Sequence, residues 1–131
     1  MQQSLPETTI FKVLYPELES HPQHSVHKKQ ATGMSGMISV YLNGDRKMSE
    51  DFVSHLKSCR VPGGVESLIQ IPSLMAFVSV EKETRDKLGI TDNLLHISVG
   101  CEDQKDLIAD MDQALKKKGS RLNGSFKGQT E

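Results

Sequence analysis

Thr91-Asp92-Asn93-Leu94-Leu95-His96-Ile97-Ser98-Val99-Gly100-Cys101-Glu102-Asp103-Gln104-Lys105-Asp106-Leu107-Ile108-Ala109-Asp110-Met111-Asp112-Gln113-Ala114-Leu115 contains two hydrophobic periods in succession. Leu95, Ile97 and Val99 alternate with His96 and Ser98, the period of two of a strand with one apolar face. Gly100 ends that run. Leu107, Ile108, Met111, Ala114 and Leu115 then recur at three- and four-residue steps and form the stripe of an amphipathic helix. Glu102, Asp103 and Asp106 crowd the helix start, and Lys116 to Lys118 its end, with Gly119 beyond as the cap. A helix with one apolar stripe needs a sheet to cover.

Outward from this unit, further strands are expected at Ile10 to Tyr15 (an edge strand stopped by Pro16), Met37 to Leu42, Val65 to Ile71 and Met75 to Val80. Helices are expected from a Ser20 cap to Gln30, with Pro22 in the first turn, and from a Ser49 cap through Phe52, Val53, Leu56 and Cys59, ending before Pro62. Glu81 to Leu88 reads as a further helix closed by Gly89. About five strands and four helices in mixed order give an α/β fold. It is a two-layer sandwich of a mixed, mainly antiparallel sheet with helices on one face. Residues 1–9 read as a flexible lead, 10–118 as the domain, and 119–131 as a disordered tail.

A chain of 131 residues has the size of one domain with one core. Sixteen basic against 17 acidic residues leave a formal charge of -1, so no electrostatic footprint for nucleic acid is present. Four Phe, two Tyr and no Trp argue against a stacking platform for single strands. No apolar run reaches the roughly 20 residues that span a bilayer, and the start lacks the pattern of a secretory signal. Two cysteines do not make a disulfide scaffold, and a cytoplasmic location is expected.

His21, His24 and His27 are spaced by three, so two neighbours could share a helix face and a metal could bridge them, but no Cys, Asp or Glu nearby in sequence completes the shell, so solvated histidines are the preferred reading. Ser25-Val26-His27-Lys28 matches a Ser-x-x-Lys pattern whose companion elements are missing. Cys59 on its apolar stripe reads as a small core residue. Cys101 lies at a helix start, where the dipole favours thiolate and the neighbouring acids oppose it. Pro62-Gly63-Gly64 reads as a turn, and no glycine-rich phosphate loop occurs.

Several segments, in order, resemble the cystathionine gamma-lyase group. They are Tyr15-Pro16-x-Leu18-x-Ser20-His21-Pro22-Gln23-His24, Lys29-Gln30-x-x-Gly33, Gly36-Met37, Gly63-Gly64-Val65-Glu66-Ser67-Leu68, Leu88-Gly89-Ile90 and Ile97-Ser98-Val99-Gly100-x-Glu102-Asp103. The resemblance runs from Phe11 to about Leu115 and is to the small C-terminal domain of these fold-type I pyridoxal-phosphate enzymes. It implies a carbon-sulfur lyase of trans-sulfuration that makes cysteine from cystathionine, with pyridoxal 5'-phosphate as cofactor. The Schiff-base lysine and the phosphate site belong to the family's larger preceding domain, for which these residues have no room. The chain alone is therefore expected to be inactive, with no catalytic or cofactor-binding residue of its own, and full-length subunits or a cofactor-binding large domain are the expected partners. A non-catalytic interaction module is the alternative.

Two departures fall where the resemblance places substrate binding. Ser58-Cys59-Arg60-Val61-Pro62 runs straight into Gly63-Gly64 where the family has a longer strand. His96 stands where the family has the arginine that holds the substrate carboxylate, and a histidine cannot offer a guanidinium fork.

Overall fold

The computed structural model describes residues 9–58 and 65–125, with side chains as far as residue 117. Eight elements follow one another: β1 (Ile10–Leu14), α1 (His24–Gln30), β2 (Met37–Leu42), α2 (Arg46–His55), β3 (Leu68–Gln70), α3 (Lys82–Lys87), β4 (Leu94–Ser98) and α4 (Gln104–Ser125). The strands form one sheet in the order β1-β2-β4-β3, with every neighbouring pair antiparallel. The two-layer α/β reading holds.

Register follows from the period of two. Val40 sits opposite Leu95, and Ile38 and Ile69 lie on either side of Ile97, so these apolar residues share one face. Val40, Leu95, Ile69 and Ile97 meet Phe52 and Leu56 at α2 and Ala114 of α4 in a single core. Leu42 and Leu95 are wholly buried, and each such side chain stabilises the fold by about 1.5–3 kcal/mol over an exposed one. Helices α2 and α4 make the covering layer, whereas α1 and α3 bury none of their residues.

Several expected boundaries move. Asp45, not Ser49, caps α2: its carboxylate accepts from the Met48 backbone at 3.0 Å, while Ser49 lies fully buried inside the helix. The chain before α1 is a series of turns, with His21 N–H bonded to Leu18 O and His24 N–H to His21 O, so the helix begins at His24 without a side-chain cap. The strand expected at Met75 to Val80 does not form. Its backbone is satisfied locally, Phe77 N–H bonding Pro72 O and Val80 N–H bonding Phe77 O, which leaves Met75 and Val78 more than half exposed.

Strand β3 is shorter than expected because the residues before it are used elsewhere: Val65 O accepts from Cys101 N–H at 2.8 Å. Gly89 follows α3 with a φ of 76°, a left-handed position suited to a glycine after a helix. Helix α4 does not stop at Gly119 but continues to Ser125, since one interior glycine costs only about 1 kcal/mol and does not break hydrogen bonding. The expected tail is thus helical in its first part, and the remainder, like residues 1–8, lies outside the described residues. Among the described residues no helix is long and apolar enough to cross a membrane.

Candidate functional site

Two surfaces flank the sheet. On the face away from α2 and α4, Leu14, Ser39, His96 and Gln70 occupy directly opposed positions across all four strands. His96 is half-buried in this row, and its Nδ1 lies 3.3 Å from Ser39 Oγ. Further along the same face Tyr41 donates its hydroxyl to Gly89 O at 2.9 Å, tying β2 to the segment after α3. The strand period alone brings His96 to this face, as expected, and the Ser39 contact is an addition the periodicity could not reveal.

The second surface is a groove of about 730 Å³ beside α4. Ile38 and Ile97 of the central strands line its floor, and Leu107, Ile108, Met111 and Leu115 its helical wall. At one end stands a knot of hydrogen bonds. Ser67 donates its backbone N–H to Glu102 Oε1 at 2.5 Å and its hydroxyl to Oε2 at 2.8 Å, and that hydroxyl accepts from Gly100 N–H at 2.8 Å. The Ser67 backbone N–H, with Glu102's own N–H and the Ser67 hydroxyl, holds the Glu102 carboxyl below its ordinary value against the opposing effect of burial.

The remaining residues singled out from sequence are scattered and locally committed. His24 Nδ1 lies 2.8 Å from Pro16 O, His27 Nε2 2.7 Å from Glu17 Oε1, and His21 Nδ1 accepts from Gln23 N–H at 3.1 Å. Lys28 pairs with the other oxygen of Glu17, and the hydrogen bonds from Lys28 and His27 hold that carboxyl below its usual value, Lys28 contributing most. Among the described residues no group of three or more His, Cys, Asp or Glu could hold a metal ion. Cys101 is exposed and sits three residues ahead of α4, outside its first turn. Cys59, Gly63 and Gly64 lie outside the described residues.

Sequence reasoning missed the groove and the knot. The signal was present: Ile108 extends the α4 stripe sideways, beyond what a single sheet contact needs, and it is 59% exposed. Ser67 and Glu102 both fall in segments that carry the family resemblance, 35 residues apart.

The groove does not fit pyridoxal phosphate. Its charged lining residues are the carboxylates Glu102, held by Ser67, and Asp112, paired with Lys116, and neither lysine nor arginine is among its described lining residues, so it offers no free cation to a phosphate.

Comparisons with known proteins extend this picture. The model of the family described as Cys/Met metabolism PLP-dependent enzyme matches residues 3–116. Cystathionine gamma-lyase from Homo sapiens is 48% identical over 110 residues, which are 82% of this chain and 27% of that protein. Putative cystathionine gamma-lyase 2 from Caenorhabditis elegans is 59% identical over 110 residues, 82% of this chain and 28% of that protein. The crystal structure of cystathionine gamma synthase from Xanthomonas oryzae pv. oryzae in complex with cystathionine superposes with a TM-score of 0.79 at 32% identity, over 88% of this chain and 30% of that one. The chain therefore spans under a third of the length of these relatives.

Proposed function

The chain belongs to the Cys/Met metabolism PLP-dependent enzyme family, and on that premise we propose that it provides the small-domain share of a cystathionine gamma-lyase-like carbon-sulfur lyase and is not itself a complete catalyst. One observation carries this reading. The matched segment folds as the two-layer small domain, yet its groove is lined by carboxylates that do not suit the cofactor. The cofactor of the family would be held by residues of a family subunit outside the matched segment. The role of the chain is to dock there and present the outer sheet face.

On that face His96 is the residue we assign to the substrate carboxylate. It offers one N–H donor where the resemblance has a two-pronged arginine, so capture of the carboxylate is weak. Its pairing with Ser39 fixes the ring against the sheet. The trans-sulfuration setting and the small number of cysteines support a cytoplasmic location.

The test is co-expression. The chain is produced alone, and together with the part of the Caenorhabditis elegans relative outside its matched segment, and release of the keto acid from cystathionine is followed with pyridoxal phosphate present. The expected result is no turnover by the chain alone and a physical complex, with weak turnover, for the pair. Turnover by the chain alone would overturn the assignment. A complex without turnover favours the second reading, a non-catalytic module that docks on full-length subunits, for which the open apolar groove is the supporting observation.

A further inference from the structure

We propose that Lys12 is a second anion contact on the outer sheet face, taking the far carboxylate of a diacid thioether whose near carboxylate meets His96. This rests on the substrate assignment made above for His96 and adds the residue that would select a diacid over a monoacid. Lys12 of β1 lies directly opposite Tyr41 of β2, one row along from Leu14, Ser39 and His96, so the antiparallel pairing puts it on the face that His96 occupies. Its side chain is exposed, and among the described residues it forms no ion pair. The charge is therefore available to a ligand.

Two features aim that charge. Lys12 Nζ stands 5.5 Å from the centroid of the Tyr41 ring, a cation–π contact that draws the ammonium from the edge strand toward β2, which lies between β1 and β4. Tyr41 is itself fixed, its hydroxyl donating to Gly89 O at 2.9 Å and its ring tilted against Phe11 with the centroids 5.8 Å apart. No carboxylate competes from the paired strand positions of this face: Lys12, Tyr41 and Leu94 form one row, and Leu14, Ser39, His96 and Gln70 the next.

Size gives the ligand. Two strand spacings of about 4.8 Å across the sheet and two residues of about 3.4 Å along it put the Cα atoms of Lys12 and His96 about 12 Å apart. The lean of the Lys12 stem toward β2 shortens the gap between the two charged tips. The carboxyl carbons of cystathionine are separated by seven bonds, about 9 Å when its chain is extended. Its thioether would then cross β2, where the Tyr41 ring offers a sulfur–aromatic contact. A homocysteine thioether that ends in an alkyl group reaches His96 but brings nothing to Lys12, so the two residues together discriminate in favour of the diacid.

The test titrates the whole chain with cystathionine, and separately with the S-ethyl thioether of homocysteine, which lacks the far carboxylate, and follows binding by nuclear magnetic resonance. Lys12→Gln should weaken cystathionine about threefold and leave the ethyl thioether unchanged, while Lys12→Arg should keep the original affinity. Lys47→Gln, which removes an exposed charge from α2 on the other side of the sheet, should alter neither. His96→Ala should weaken both ligands. Equal effects of Lys12→Gln on the two ligands, or none on either, overturn the inference, as does a chain that binds both as before without His96 or one that does not bind cystathionine at all. In the co-expressed pair described above, Lys12→Gln should raise the KM for cystathionine by the same factor with kcat retained. A chain that binds cystathionine through Lys12 but forms no active pair upholds the site and overturns the lyase reading, so the two fail separately.

Discussion

Ser67 and Glu102, 35 residues apart, are joined twice, backbone N–H to Oε1 and hydroxyl to Oε2. The pair fastens the entry of β3 to the turn between β4 and α4. Gly100 completes the arrangement by donating to the Ser67 hydroxyl. A Cβ at Gly100 would stand 2.6 Å from Ser67 N and collide with the Val65 carbonyl, so the close approach of these backbones requires glycine there.

Ser67→Ala should therefore destabilise the domain by about 1–3 kcal/mol, because the Gly100 N–H loses its acceptor inside the protein. Gly100→Ala should cost more, since backbone must move. Denaturant unfolding of both variants checks the order, and a larger loss for Ser67→Ala would mean that the turn is more plastic than its contacts suggest.

Asp110 is 6% exposed on α4, and its carboxylate accepts from the backbones of Lys57 and Ser58 at 2.8–3.0 Å and from the Gln113 amide. Burial raises its pKa, but the Ser58 and Lys57 N–H groups and Gln113 outweigh it, so the net direction is down. A lowered folded-state value means that the contribution is complete above the unfolded value near 3.8 and is lost as pH falls through the folded one. Asp110→Asn should weaken the protein at neutral pH by about 2 kcal/mol and flatten the acid side of its stability curve. An unaltered acid limb in a pH series of unfolding midpoints would remove Asp110 from the account.

Gly89 and Gly33 make a matched pair. Gly89 sits at a φ of 76°, and Gly33 has open space where a Cβ would go and no positive φ. Gly89→Ala should cost about 1 kcal/mol, and Gly33→Ala should be neutral or slightly stabilising through the unfolded state. Thermal midpoints of the two single variants distinguish backbone strain from a general effect of added methyls.

The β4–α4 unit was legible because its two periods each contain enough residues to exclude the other, and β4 and α4 both form. Where the sequence misled, a local competitor was present. Ser49 looked like a cap until Asp45, four residues earlier and already in a turn, took the role. Met75 to Val80 has strand composition, but Pro72 and the turns after it satisfy its backbone before any strand can pair with it. For the candidate site, the face that His96 occupies could be read from alternation. The groove could not, since it depends on how α4 packs beside Ile38 and Ile97, a tertiary distance with no period of its own.

The last prediction concerns His96, which shares its row with Leu14, Ser39 and Gln70. His96→Arg removes the 3.3 Å contact with Ser39 Oγ and places a longer side chain in a half-buried position. The guanidinium can extend toward water along its aliphatic stem, so the loss of stability in the isolated chain should be about 1 kcal/mol or less. In a complex with the remainder of a family subunit the same change should act in the opposite sense on substrate. A bidentate, permanently charged fork replaces a single ring donor, and an improvement of about 1.4 kcal/mol lowers the KM for cystathionine about tenfold. Ser39→Ala supplies the complementary case: it frees the ring without changing its chemistry and should raise KM slightly if Ser39 positions His96. Loss of several kcal/mol in the isolated His96→Arg chain would mean that the position is structural. An unchanged KM in a complex that turns over would mean that His96 does not meet the carboxylate.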